Sequence, residues 1–108
     1  MNPGKLRHRI TIQQRSSEQD GYGGQIDTWD DVATVWASVE PLTGRALFAA
    51  QELNSEVTIK ITMRYRAGIT YAMRVAYGTR TFDILAPIDP EERHIELHLM
   101  CKEMIPNG

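Results

Sequence analysis

The stretch "EVTIKITMRYR", residues 56–66, alternates without a break. Val57, Ile59, Ile61, Met63 and Tyr65 take one parity and Thr58, Lys60, Thr62, Arg64 and Arg66 the other. This is the period-two pattern of a strand with one face in a core and the other in water. It is the clearest alternation in the chain, and it predicts a β protein.

The segment just before it breaks the pattern. "EPLTGRALFAAQELNSE", residues 40–56, is centred on Ala46 to Leu53, where Ala, Leu, Gln and Glu favour helix. Ala46, Ala49, Ala50 and Leu53 also fall at the i, i+3, i+4, i+7 spacing of one helical face. Further upstream, "QIDTWDDVATVWASVEP" is rich in β-branched and aromatic residues and ends at Pro41, which has no N–H to give a ladder. A strand is expected over Asp31 to Val39, with an earlier start and a break near Asp30 as the variant. "LRHRITIQQ" alternates with Leu6, His8, Ile10 and Ile12 on one face. Between these two strands, "RSSEQDGYGG" collects turn formers and predicts a long hairpin loop with Gly21, Tyr22, Gly23 and Gly24 at its tip.

On the other side, "MRVAYGTRTFDILAPI" reads as a hairpin joining Met73 to Ala76 with Thr81 to Leu85 through Tyr77-Gly78-Thr79. "DPEERHIELHLMCKEM" opens with an acidic turn and continues as a strand with Ile95, Leu97, Leu99 and Cys101 on its buried face. Short strands separated by turns predict one mainly all-β domain over residues 1–108, a small antiparallel β-barrel or curled sheet. One short helix or long loop, about residues 42–55, is inserted between strands.

Composition narrows the function classes. The chain has 108 residues, enough for one core, and its single cysteine excludes an internal disulfide framework. No window approaches the ~18 consecutive apolar residues of a membrane span. "MNPGKLRHR" lacks the apolar run of a signal peptide, so a cytoplasmic origin is expected. With 12 Lys and Arg against 14 Asp and Glu, the net charge of −2 gives no general attraction to phosphate. The charges are uneven along the chain, however. Lys5, Arg7, Arg9 and Arg15 crowd the start, and Glu18, Asp20, Asp27, Asp30 and Asp31 follow, a split that suits complementary subunit contacts or simply two solvated faces.

A search for chemistry yields little. His94, His98 and Cys101 have the residue types of a zinc site, but on a strand residues 94 and 98 share a face and 101 takes the other. We expect no metal, no cofactor and no catalytic group. Neither a nucleophile elbow nor a phosphate loop appears, and "DGYGG" does not lead into a helix. A single-stranded nucleic-acid-binding barrel is the alternative reading, based on Lys60, Arg64 and Arg66 along one polar face with Arg7 and Arg9 close by. Against it, Trp29 and Trp36 do not interleave with those positions. An adaptor that adds a strand to a partner's sheet is a third reading.

The order and spacing of "GKLRHRITIQ", a Gly-rich turn leading to a Trp, "VWASVEPLTGRALFAAQ", "VTIKITMRYRAGIT" and "RVAYGTRTFDILAPIDPEERHIELHLMCKE" resemble the head-tail joining family of long-tailed bacteriophages and prophages. Its members are also called head closure, head completion or stopper proteins. The resemblance runs from about Gly4 to Glu103. It implies a structural virion protein, made in the bacterial host cytoplasm, that forms a ring with itself beneath the portal. There it would sit between a portal-side adaptor and a tail-side protein and hold packaged double-stranded DNA by confinement, with no membrane involved. In this family the excursion between the second and third main strands takes part in closing the channel. Here that is Leu42 to Ser55, with Leu42, Gly44, Arg45, Ala46, Leu47, Phe48, Ala49, Ala50 and Leu53 as channel-closing or inter-subunit residues. Capping its own barrel is the other role open to this helix. Gly21 to Gly24 form a candidate ring-contact loop, and Lys5, Arg7 and Arg9 a candidate charged interface.

Overall fold

The computed structural model describes residues 6–15 and 28–104. Its strands are β1 (His8–Arg15), β2 (Trp29–Pro41), β3 (Ile59–Arg64), β4 (Met73–Tyr77), β5 (Arg80–Ile88) and β6 (Glu96–Met104). They close antiparallel in the order β1-β2-β3-β6-β5-β4. Helix α1 (Gly44–Leu53) lies between β2 and β3, and a short 3-10 turn, Pro90–Glu92, precedes β6. The architecture is the small antiparallel barrel with one helical insert that the sequence predicts.

Alternation builds the interior. Ile10 and Ile12 from β1, Ile59, Ile61 and Met63 from β3, Phe82 and Ile84 from β5, and Leu97, Leu99 and Cys101 from β6 form one buried cluster. Each fully buried large side chain contributes about 1.5 to 3 kcal/mol over exposure, which offsets the ordering of the strands. The half-buried His8 sits at the margin of this core. Its Nδ1 is 2.7 Å from Tyr77 Oη, with the two rings edge to face.

Several boundaries differ from expectation. β2 starts at Trp29 and includes Pro41, and its irregularity falls at Val32, since Ile12 pairs with Ala33 but Gln13 with Asp31. An extra residue on one strand increases local twist, and a second such shift at Leu85 of β5 helps a short sheet curl closed. The β4–β5 turn is Gly78-Thr79, because Tyr77 pairs with Arg80; Gly78 supplies the positive φ (60°) that this two-residue turn requires. Ile95 is not on the buried face but 50% exposed, for β6 begins only at Glu96. The chain enters it through left-handed backbone at Glu91, Glu92 and His94, with the His94 N–H and ring held by Asp89. Cys101 lies in the core, where burial pushes its thiol pKa up to about 12.

Candidate functional site

Helix α1 has weak local support. Thr43 at its N-cap makes no side-chain capping bond, no acidic residue occupies the first turn, and Gly44 opens it at φ 56°. Ten residues so equipped are marginal as an isolated helix. Its attachment is slight: Leu42 N–H donates to Thr58 O at 2.9 Å and Gln51 Nε2 to Val57 O at 3.1 Å, while the helix closes on itself through the backbone N–H of Asn54 to Ala50 O at 3.1 Å.

The sheltered stripe of α1 is Leu47, Ala50, Gln51 and Asn54, with Ala50 the buried member and Gln51 bonded to the Val57 carbonyl just ahead of β3. Of the expected stripe of Ala46, Ala49, Ala50 and Leu53, Ala50 is buried as its spacing predicts, while Ala46 and Ala49 are exposed and Leu53 is 76% exposed. Spacing alone left this open, because Leu47, Ala50, Gln51 and Asn54 satisfy the same helical period. The amide of Gln51, with a backbone carbonyl to reach, selects the second set. Phe48, 70% exposed, and Leu53 flank the outward face, between which Arg45, Ala49 and Glu52 lie.

A second feature lies where β2 and β3 part. Their pairing runs from Pro41 with Ile59 to Ala37 with Met63, and β2 before Ala37 pairs with β1. The divergence leaves a groove of about 310 Å³ lined by Leu6, Val35, Trp36, Met63, Tyr65 and the Arg64 and Arg66 side. Trp36 is 53% exposed, with the Arg9 guanidinium 5.6 Å from its ring centroid. The sequence-based objection that Trp36 does not interleave with the arginines thus fails. β2 is hydrogen-bonded between β1 and β3, so Trp36 stands on the outer face beside Arg9 and the end of β3. Lys60 lies at the other end of β3, paired with Glu40.

Trp29 is likewise contacted by arginines, Arg74 at 4.1 Å and Arg15 at 5.4 Å from its ring, and Arg74 also donates to Gln13 Oε1. Across β5 and β6, Arg80 donates from Nε and Nη2 to Glu103 at 2.9 and 3.0 Å, and this holds the Glu103 carboxyl below the usual carboxylate range.

Of the remaining candidates, Arg7 is exposed beside β1, while Lys5 and Gly21, Tyr22, Gly23 and Gly24 lie outside the described residues. His94, Cys101 and His98 do not converge: His94 pairs with Asp89, His98 Nε2 with Glu96 at 3.1 Å, and Cys101 points inward. Among the described residues no helix is long and apolar enough to cross a membrane.

The family model described as phage head completion protein matches residues 1–104. Head completion protein gp7 of Enterobacteria phage HK97 is 24% identical over 107 residues, which cover 94% of this chain and 96% of the relative. Head completion protein gp16 of Bacillus phage SPP1 is 30% identical over 81 residues, 74% of each chain. Among solved structures, protein SF1141 from Shigella flexneri 2a has a TM-score of 0.74 at 32% identity, covering 95% of this chain and 96% of that one. A chain of the native gene transfer agent virion has the same fold, with a TM-score of 0.61 at 20% identity over 94% and 97% of the two chains.

Proposed function

The chain belongs to the phage head completion protein family, and we propose that it is a structural, non-catalytic part of the virion's head-tail connector. Copies made in the bacterial host cytoplasm form a ring beneath the portal, close the DNA exit after packaging and present a surface to which the tail attaches. Its partners are further copies of itself, a portal-side adaptor and a tail-side protein, with the packaged DNA retained by confinement. The observation that carries this reading is α1. A barrel that satisfies its own strands carries, between β2 and β3, a weakly capped helix whose Phe48 and Leu53 are left in solvent. Two large apolar side chains left exposed on one short insert fit assembly. In this reading Leu42 to Ser55 is the channel-closing or inter-subunit segment; a ring-contact loop at Gly21 to Gly24 and a charged interface of Lys5, Arg7 and Arg9 complete the proposal from the sequence alone.

The test uses filled heads that bear the portal but lack this protein. Addition of the purified chain is expected to make packaged DNA nuclease-resistant. A version with residues 44–53 replaced by a Gly-Ser linker is expected to leave it sensitive. Protection by both would keep closure and return α1 to a structural role; protection by neither would remove the closure reading. One observation favours a second reading, a single-stranded nucleic-acid site: Trp36 stands among Arg9, Arg64 and Arg66. It requires tight, steeply salt-dependent binding of an oligonucleotide by the isolated chain.

A further inference from the structure

We propose that the outward face of α1 on one copy seats in the Trp36 groove of the next copy, with Phe48 entering the groove and Glu52 facing Arg64 and Arg66. This rests on the ring reading above and specifies what joins neighbours within the ring.

The two surfaces match in chemistry. The groove has an apolar floor, Val35, Trp36 and Met63, and a cationic rim, Arg64 and Arg66, with no carboxylate among its described lining residues. On the outward face of α1, Phe48 and Leu53 stand at the two margins; Glu52 lies one turn after Phe48, on the side that would meet the arginine rim, and Arg45 lies one turn before Phe48, where it must point away from that rim. A space of about 310 Å³ lies near the lower end of the range for ligand pockets and suits an inserted side chain more than a folded segment. Seating Phe48 there would cover an exposed aromatic, and a buried aromatic anchor with charges at the rim is the usual energetic centre of a specific interface.

The two surfaces do not meet within one molecule. Helix α1 joins β2 and β3 where Pro41 pairs with Ile59, whereas the groove opens at the other end of that strand pair, past Met63 and Arg64. At about 3.3 Å per residue the separation along β3 is about 17 Å. The outward face of α1 also points away from its own barrel. A patch and its complement at separate places on the same chain allow a head-to-tail contact between copies. Such a contact closes into a ring when its rotation repeats evenly. An isologous dimer would use the same helix-in-groove contact twice, reciprocally; the ring reading selects the head-to-tail form.

The test joins the proposed neighbours covalently on portal-bearing heads. Ala49→Cys and Thr34→Cys chains, which place thiols beside Phe48 and Trp36 and leave both aromatics intact, are mixed, assembled and treated with a short bismaleimide; the natural Cys101 is buried and inert in the folded chain. Linked dimers are expected in the mixture and not with either variant alone. Rings of the wild-type chain seen by electron microscopy, without linked dimers in the mixture, would overturn the proposal and leave the ring reading standing. Absence of wild-type rings would overturn the ring reading itself. As a second arm, Glu52→Arg and Arg66→Glu should each weaken assembly about fivefold, and both together in one chain should restore it. No restoration overturns the pairing. Binding of a short oligothymidylate that competes with assembly would give the groove to nucleic acid instead.

Discussion

The chain's two phenylalanines occupy opposite environments: Phe82 on β5 is 0% exposed and Phe48 on α1 is 70% exposed. Around Phe82, every neighbouring strand contributes an apolar residue at alternate positions, so the barrel consumes its own hydrophobic surface. Around Phe48 the helix shelters a stripe of Leu47, Ala50 and Gln51 and leaves Phe48 and Leu53 in solvent. The same residue type thus serves stability in one place and is left for assembly in the other. The distinction lies in which groups the fold already satisfies.

The largest expected effect concerns the inside of the barrel. Burial pushes the Cys101 thiol up to about 12, with Asp83 a smaller contributor, so little thiolate is present near neutrality and the sulfur is shielded. A maleimide should label the native chain at less than about a thousandth of the rate for the unfolded one, since access requires opening. Rapid native labelling, followed by mass spectrometry, would show that the barrel is loose and would break the contrast with α1.

The two phenylalanines give the direct comparison. Phe82→Ala should cost about 3 to 5 kcal/mol in urea unfolding, a large share of a typical domain's stability. Phe48→Ala in the free subunit should stay within about 0.5 kcal/mol, as for an exposed position, while lowering assembly on heads. Similar losses at the two positions would mean that Phe48 packs on its own chain.

A smaller effect is expected at the margin of the core. Tyr77→Phe removes the hydroxyl that meets His8 Nδ1 at 2.7 Å and should cost about 1 kcal/mol. An unchanged unfolding midpoint would show that water replaces the hydroxyl and that the margin behaves like the helix surface.

The smallest is electrostatic. Arg80 holds the Glu103 carboxyl below its ordinary range, chiefly by donating hydrogen bonds to it. Stability from this pair is therefore present above the unfolded carboxyl pKa, about 4.3, and lost as pH falls through the lower folded value. Glu103→Gln should be slightly less stable than wild type at pH 7, and the two should converge in acid. A gap that persists below the carboxylate range would assign the effect to packing. The pair is partly exposed, so the difference stays small.

How much of this was legible beforehand follows the kind of signal. The parity of Ile59, Ile61 and Met63, and of Leu97, Leu99 and Cys101, fixes which face is buried whatever the partner strand, and all six are in the core. Ile95 carries the same parity but lies one residue before β6, where positive φ at His94 redirects the chain, a property that alternation does not encode. In α1, two stripes had the same period, and the choice fell to a Gln51 hydrogen bond that depends on where Val57 lies. Trp36 does not interleave with Arg64 and Arg66 along the chain, from which it is 28 and 30 positions away. Strand order brings them side by side.

The sequence by itself determined the strands, their inward faces and the helical character of residues 44–53. These depend on periodicity and propensity, which act over a few neighbouring residues. Only the tertiary structure decided which strands are neighbours, that β2 and β3 part at Ala37 and Met63 to open a groove, and that Phe48 faces solvent. Those outcomes are set by pairing and packing between residues far apart along the chain. No local pattern carries the information for them.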